Sequence, residues 1–151
     1  MSGHPENIIR LSLESDPEML QVVRAAVEKL AELAGFGEHD RCEIVLSVDE
    51  GLTNVIRHAY KGRHNMPVEI AISHFDATDG GGIRVIVRDY GPEVDPGQIV
   101  EPEKDDLVPG GMGLRIMRAC MDEIAYRRAE GGGMILAMTK NLKSREVEDQ
   151  T

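Results

Sequence analysis

The strongest constraint on the fold is a pair of neighbouring segments in which apolar residues recur at every second position. Residues 67–75, PVEIAISHF, and residues 82–89, GIRVIVRD, follow this period, and the turn-rich stretch DATDGGG joins them. A period of two places alternate side chains on opposite faces of a strand, and glycine and aspartate are typical of tight turns. The two segments therefore predict a β-hairpin with one buried face.

Two segments before this hairpin have the spacing of amphipathic helices. The first begins with a Ser15-x-x-Glu18 capping signature, has a proline in its first turn, and stops at Gly35. The second is expected to run from about Asp40 to Ala59. Apolar residues at helical spacing occupy one side of the first helix: Leu20, Val23, Val27, Leu30 and Ala34.

The remaining segments complete a sheet and add a third helix. Residues 7–13 predict an edge strand, helical spacing returns in GMGLRIMRACMDEI, and IAYRRAE and MILAMTKN predict a last strand pair. The order β-α-α-β-β-loop-α-β-β predicts an α+β fold, a two-layer sandwich of a mostly antiparallel mixed sheet with helices on one face. We expect one domain over residues 1–143, followed by a polar tail at 144–151.

Composition narrows the function. A chain of 151 residues with a formal net charge of −10 repels phosphate backbones, which argues against direct nucleic-acid binding. No run of 18 apolar residues and no signal peptide is visible, so we expect a soluble, cytoplasmic protein without a membrane segment. The two cysteines, Cys42 and Cys120, lie in helical patterns far from any other metal-ligand cluster, and we expect both to be buried small hydrophobes.

The stretch DEGLTNVIRHAY, residues 49–60, places Glu50 and Asn54 four apart on one helix. Residues at this spacing lie one above the other, with Cβ atoms roughly 5–6 Å apart. A solvated polar face, a hydrogen bond on the helix surface and a ligand site are all compatible with this pair. The helix itself does not choose among them.

A second polar feature is Asp89, which ends the strand predicted at 82–89 and is followed two residues later by Gly91. An aspartate before a glycine is a common turn former. Alternatively, its carboxylate could accept a hydrogen bond from the 6-amino group of adenine, while the glycine leaves room for the flat ring. Guanine presents a carbonyl at that position, and a buried carboxylate facing it would cost about 1–3 kcal/mol or more.

A third feature is the glycine-rich stretch PGGMGL. Residues 92–111 show no periodicity, and we expect a loop that ends in a turn at Gly110, Gly111 and Gly113, directly before a helix. The N–H groups and positive dipole end of such a helix could hold a phosphate. Taken alone, however, the glycines favour plain loop geometry. No G-x-x-x-x-G-K-[ST] motif is present, which excludes a Walker-type loop.

Together, DEGLTNVIRHAY, VRDYG and GGMGLRIMRACMDEI resemble the N, G1 and G2 boxes of the GHKL ATPase superfamily, the Bergerat ATP-binding fold. Over residues 7–142 the chain looks most like the anti-sigma-factor serine kinases of that superfamily. The resemblance implies ATP and Mg²⁺ as cofactors, Asn54 as the metal ligand and Glu50 as general base. It also implies adenine contacts from Asp89 and Gly91, with residues 92–109 as an ATP lid. Backbone contacts to the phosphates are implied for Gly110, Gly111, Gly113 and Leu114.

The same resemblance implies a protein serine kinase that phosphorylates an anti-anti-sigma protein of the STAS type, sequesters a sigma factor, and forms a homodimer. One position departs from the family pattern, because Met134 stands where many members have a threonine near the adenine, and Thr139 lies too far along the strand to replace it. An adaptor that binds nucleotide without transferring phosphate is therefore the alternative, although Glu50 favours the kinase.

Overall fold

The computed structural model describes residues 7–75, 80–91 and 109–142. The elements, in chain order, are β1 Asn7–Glu14, α1 Pro17–Ala34, α2 Glu38–Asn54, a π-helical turn at Val55–Ala59 (the π turn), β2 Pro67–Phe75, β3 Gly82–Asp89, α3 Pro109–Cys120, β4 Glu123–Arg128 and β5 Met134–Asn141. The expected lid at 92–109, apart from its last residue, and the tail at 144–151 lie outside the described residues.

The five strands form one sheet in the order β1-β2-β3-β5-β4, and each neighbouring pair is antiparallel. The hairpin of β2 and β3, the edge position of β1 and the final pair of β4 and β5 are confirmed. The expectation of a mixed sheet is wrong for the described strands, because no parallel pair occurs among them. Short connections account for two of the pairs, β2 with β3 and β4 with β5, because strands joined by a short turn pair in antiparallel fashion.

The core lies between the helices and one face of the sheet, as the period-two and helical patterns predict. Alternate residues of the central strands are buried while their neighbours are more accessible, so one face of each strand packs under the helices. The strands contribute Val68, Ile70, Ile72, Ile83, Val85, Val87, Leu136 and Met138; the helices contribute Leu20, Val23, Val27, Leu30, Ile44, Val48, Leu52 and Met117. Among the described residues, no helix combines the length and apolar character needed to cross a bilayer.

Two local expectations are corrected. The N-cap of α1 is Asp16, whose Oδ1 accepts from the Glu18 N–H at 2.9 Å, whereas Ser15 is buried and bonds elsewhere. Its hydroxyl donates to the Arg63 carbonyl at 2.6 Å and accepts from the Met66 N–H at 3.1 Å. Cys42 is exposed because it lies on the outward side of α2, while Cys120 is buried as expected.

Candidate functional site

The C-terminal end of α2 presents the two polar residues of the first motif. Glu50 and Asn54 are both half-buried, whereas Val48, Gly51 and Leu52 around them are buried in the core. Because the two polar residues are one helical turn apart, they lie on one edge of the helix, at the boundary between core and solvent. Neither side chain is lost in apolar packing, so both can meet a ligand.

Helices α2 and α3 run antiparallel. Near the start of α2, the Lys140 ammonium lies 3.4 Å from Glu43 Oε1 and donates at 2.5 Å to the carbonyl of Cys120, the last residue of α3. Further along α2, a Cβ placed on Gly51 would lie 3.8 Å from the Met117 sulfur, one turn earlier in α3. Residues later in α2, towards Asn54, therefore lie beside residues earlier in α3. The glycine-rich motif and the Glu50–Asn54 edge lie at the same end of this helix pair.

The glycine-rich motif is helical. Helix α3 begins at Pro109, so Gly110, Gly111 and Gly113 belong to its first turns and do not form the separate turn expected from the sequence. Proline suits this position because its ring fixes a helical φ and its missing N–H would have no intrahelical partner. The first-turn N–H groups of a helix lack intrahelical acceptors and point towards its N-terminal end. Leu114 anchors this end, since its side chain is buried.

Asp89 ends β3 in a buried position, with 4% of its surface exposed. Its Oδ1 accepts hydrogen bonds from the backbone N–H groups of Gly91 at 3.0 Å and Met134 at 3.3 Å. Burial raises the pKa of the Asp89 carboxyl above its ordinary value, and these two hydrogen bonds and the Arg88 charge oppose the rise. A buried carboxyl fixed by two backbone donors is a rigid acceptor.

Two glycines allow close packing around Asp89. A Cβ on Gly91 would lie 2.9 Å from the carbonyl oxygen of Ala59, the last residue of the π turn. Gly133 has φ +85°, and a Cβ there would collide with the Asp89 carbonyl oxygen. Gly133 lies between β4 and β5 and was not among the candidate site residues. The sequence feature that could have identified it is the run of three glycines before β5, because glycine adopts backbone conformations that are closed to other residues.

Tyr126 was missed in the sequence. It faces the helices from β4. Burial raises the pKa of the Tyr126 hydroxyl, a hydrogen-bonding interaction with the Asn54 side chain opposes the rise, and the charges of Asp89 and Arg118 also act on it. Tyr126 therefore lies within electrostatic reach of both the amide of the first motif and the carboxyl of the second. Its inward position in a period-two strand is the signal that could have found it.

Other polar residues are placed outside this cluster. Arg24 pairs with Asp49 on α2 at 2.8 Å, and His58 is exposed on the π turn. Thr139 accepts from Arg84 Nε at 3.2 Å and is paired in register with Arg84, five residues before Asp89, or about 16 Å along the strand. It therefore cannot replace a threonine at position 134. The Met134 side chain is buried, and its N–H contacts Asp89.

The metal-binding groups of this site fit an ion that is coordinated mainly by nucleotide phosphates and water. No group of three or more His, Cys, Asp or Glu side chains suited to a metal occurs in the part of the chain that is described. Asn54 offers one neutral oxygen at the edge of the site, and Mg²⁺ commonly uses one or two protein ligands together with phosphates and waters. The three elements thus bring together an amide, two carboxyls and a helix N-terminus.

Comparison with known proteins identifies the family of this chain. Residues 13–140 match the family model described as the histidine kinase-like ATPase domain. The chain is similar to curated proteins named serine-protein kinase RsbW. It is 28% identical over 153 residues to that of Bacillus pumilus (strain SAFR-032), covering 96% of this chain and 92% of the relative. It is 29% identical over 151 residues to that of Bacillus subtilis (strain 168), covering 95% and 91%.

Solved structures share the fold. A crystal structure of the RsbU and RsbW domains of a Mycobacterium tuberculosis protein superposes with a TM-score of 0.62 at 21% identity, covering 91% of this chain and 33% of that one. The blue-light activated histidine kinase EL346 of Erythrobacter litoralis gives a TM-score of 0.55 at 21% identity, covering 86% and 42%. This chain thus spans less than half the length of either structure. The likeness supports the two-layer architecture.

Proposed function

Since the chain belongs to the family of histidine kinase-like ATPase domains, we propose that it is an ATP-dependent protein serine kinase and anti-sigma factor. Its substrate in this proposal is a STAS-type anti-anti-sigma protein, and it sequesters a sigma factor when that protein is phosphorylated. Relatives that share nearly the full length of this chain are named serine-protein kinases. The observation that carries the proposal is the convergence of the Asn54 edge, Asp89 and the start of α3 at one end of the molecule.

Asp89 and Gly91 would select the base. The Asp89 carboxylate would accept a hydrogen bond from the 6-amino group of adenine, and the absence of a side chain at Gly91 would leave space for the ring. A guanine carbonyl at the same place would face a buried acceptor without a donor. The rigid position of Asp89, held by two backbone N–H groups, supports this discrimination because the carboxylate cannot rotate away.

Asn54 and the first turn of α3 would hold the charged end of the nucleotide. Asn54 would be the Mg²⁺ ligand through its amide oxygen, and bound Mg²⁺ would neutralise charge on the phosphates. A neutral ligand adds no repulsion beside a triphosphate. Gly110, Gly111, Gly113 and Leu114 would contact phosphate oxygens through backbone N–H groups, which are unpaired at a helix N-terminus.

Glu50 would orient the attacking serine hydroxyl and accept its proton. As the serine oxygen bonds to the γ-phosphorus, the bond between that phosphorus and the oxygen bridging to the β-phosphate breaks, and ADP leaves with that electron pair. The proton of the hydroxyl passes to the Glu50 carboxylate. Its place one turn before Asn54, on the same helix edge, supports this role because it would lie beside the nucleotide's reacting end.

A cytoplasmic location and a homodimer complete the proposal. Phosphorylation of the STAS protein would weaken one complex and free this chain for the sigma factor. A difference of about 1.4 kcal/mol between the two complexes changes their occupancy ratio tenfold. The acidic balance of the chain, a formal net charge of −10, suits a basic partner surface.

The decisive experiment incubates the purified protein with labelled ATP, Mg²⁺ and a STAS-type protein from the same organism. We expect label on one serine of the STAS protein and none when Glu50→Gln is used, although that variant still binds ATP. Glu28→Gln is the matched control, because it makes the same change on the exposed side of α1, outside the site.

The alternative function is a nucleotide-binding adaptor without phosphate transfer. The buried Met134 side chain at the family's threonine position is the observation that favours it. ATP binding without transfer by the unmodified protein would establish the adaptor. Absence of Mg²⁺-dependent ATP binding by calorimetry would reject both functions.

A further inference from the structure

The helix that carries Glu50 and Asn54 does not end regularly. After Asn54 it widens into the π turn, in which the Tyr60 N–H donates to the Val55 carbonyl at 2.9 Å, five residues back. Such turns are rare in proteins as a whole, but those that occur are often at functional sites. The extra residue changes the direction of the side chains that follow it. Here the residue that follows is Tyr60.

The Tyr60 side chain connects several segments near the site. It is 2% exposed, and its hydroxyl donates to the Pro67 carbonyl at 2.5 Å and accepts from the Tyr90 N–H at 2.7 Å. One oxygen therefore joins three segments: the end of the α2 helix, the start of β2, and the backbone between Asp89 and Gly91. Among the described residues, no other side-chain hydroxyl hydrogen-bonds to the backbone of residues 89–91.

A second contact acts at the same place. Gly91 packs so closely on Ala59 that a Cβ would lie 2.9 Å from its carbonyl oxygen and 3.0 Å from its Cβ. Ala59 thus packs against Gly91, and the next residue, Tyr60, accepts a hydrogen bond from the Tyr90 N–H. Together these two contacts fix the backbone that follows Asp89. The position of Asp89 relative to α2 depends on this junction.

We propose that Tyr60 is a positioning residue for base recognition, which fixes the Asp89–Gly91 segment against the end of the helix that carries Asn54. The inference rests on the proposed function, since it concerns the same nucleotide. A carboxylate selects an amino group only if the donor–acceptor distance is held within a few tenths of an ångström. With adenine and the triphosphate held by separate elements, the junction between those elements sets that distance.

A purely structural role for Tyr60 has a different signature. In that case, loss of the hydroxyl lowers thermal stability and leaves nucleotide preference intact. A positioning role changes the preference itself, because only the ligand with a 6-amino group uses Asp89. Comparison of two ligands on one variant separates the roles.

The test uses Tyr60→Phe, which removes one oxygen from the junction. Binding of ATP and of purine riboside triphosphate, which lacks the 6-amino group, is measured by calorimetry with Mg²⁺ below the melting temperature of each protein. We expect ATP affinity to fall about tenfold and affinity for the analogue to change less than about threefold, so that selectivity falls. Thr139→Val is the control, because that hydroxyl also bonds a neighbouring strand but lies about 16 Å along the sheet from Asp89, and it should retain the selectivity of the unmodified protein.

Equal losses for the two ligands, or unchanged ATP affinity with a lower melting temperature, would overturn the proposal. If Tyr60→Phe does not fold, the proposal is tested by hydrogen exchange in the unmodified protein. The Tyr90 amide should exchange its hydrogen at least about tenfold more slowly than an unprotected amide in the free protein, and exchange at the unprotected rate would also overturn it. Failure of the proposed function is distinct, because the unmodified protein would then not bind ATP at all.

Discussion

At the scale of single residues, the site depends on polar groups whose orientation is fixed by neighbours. The carboxamide of Asn54 is within hydrogen-bonding reach of the Tyr126 hydroxyl, and their interaction opposes the rise in the Tyr126 pKa that burial causes. An asparagine side chain has an acceptor oxygen and a donor nitrogen on opposite sides. A hydroxyl that engages the nitrogen leaves the oxygen directed to a metal ion, so Tyr126 would determine which end of the amide meets the ligand.

Asn54→Ala should therefore abolish the stimulation of ATP binding by Mg²⁺, and Tyr126→Phe should weaken it by about three- to tenfold. The first change removes the proposed ligand, and the second removes only the group that orients it. Calorimetric titration of ATP with and without Mg²⁺ measures both effects. An Asn54→Ala protein with undiminished Mg²⁺ dependence would show that the metal lies elsewhere.

Asp89 gives a second prediction, in which binding and stability change in opposite directions. A carboxyl with a raised pKa holds more protons in the folded than in the unfolded protein between the two pKa values. The free energy of unfolding therefore falls as pH rises from about the ordinary value of 3.8 through the folded pKa. Asp89→Asn lacks this fall but retains an oxygen for the N–H groups of Gly91 and Met134.

We expect Asp89→Asn to gain stability relative to the unmodified protein as pH rises through that range, and to lose preference for ATP over GTP at neutral pH. Urea unfolding across the range measures the first effect, and competition binding of the two nucleotides measures the second. A stability difference that does not vary with pH would mean that the Asp89 pKa is ordinary.

At the scale of secondary-structure elements, the ends of helices and strands determine the site more than their interiors do. Helix α1 illustrates how an end is chosen. Asp16 accepts a hydrogen bond from the Glu18 N–H. The neighbouring Ser15 instead makes two hydrogen bonds to the backbone of the segment before β2. Two adjacent residues able to cap a helix thus have different tasks, and the long-range contacts of one leave the cap to the other.

Asp16→Ala should lower the free energy of unfolding by about 1 kcal/mol because it removes the cap, and Asp16→Ser should cost only a few tenths because serine can replace it. Chemical denaturation followed by circular dichroism gives both values. ATP affinity should stay unchanged, since the Asp16 side chain bonds the first turn of α1 and neither Asn54 nor Asp89. If both variants were as stable as the unmodified protein, another group would have to satisfy the first turn of α1.

At the scale of the whole molecule, the candidate site exists only in the folded chain. Its parts are at 50–54, 89–91 and 109–114, and they meet because β3 ends beside the π turn and α3 packs antiparallel to α2. A ligand that contacts all three parts binds the folded state and has little affinity for the unfolded chain. Ligand binding must then stabilise the fold.

With MgATP at about 100 times its dissociation constant, the folded state should gain about 2.7 kcal/mol. For a domain of this size, that gain corresponds to an increase in melting temperature of about 5–10 °C. Differential scanning calorimetry with MgATP measures the increase, and Mg²⁺ alone is the control. An unchanged melting temperature at saturating nucleotide would contradict a site built from all three segments.

The sequence by itself determined the pattern of elements and most of the residues in the proposed site. Period-two alternation fixed which faces of β2 and β3 are buried, and four-residue spacing placed Glu50 and Asn54 on one helix edge. These features are local, because the geometry of a strand or helix repeats over a few residues whatever surrounds it. Only the resemblance to a known family, and no local rule, connected the three motifs.

The tertiary structure alone decided the contacts between segments. Three contacts join residues from different elements: the hydrogen bonds of Tyr60 to Pro67 and Tyr90, the interaction of Tyr126 with Asn54, and the packing of Gly133 on Asp89. The same is true of Ser15, whose recruitment by a distant loop overrode a local capping signature. Such contacts depend on how sheet and helices pack, and that arrangement minimises the free energy of the whole chain, which no short stretch of sequence contains.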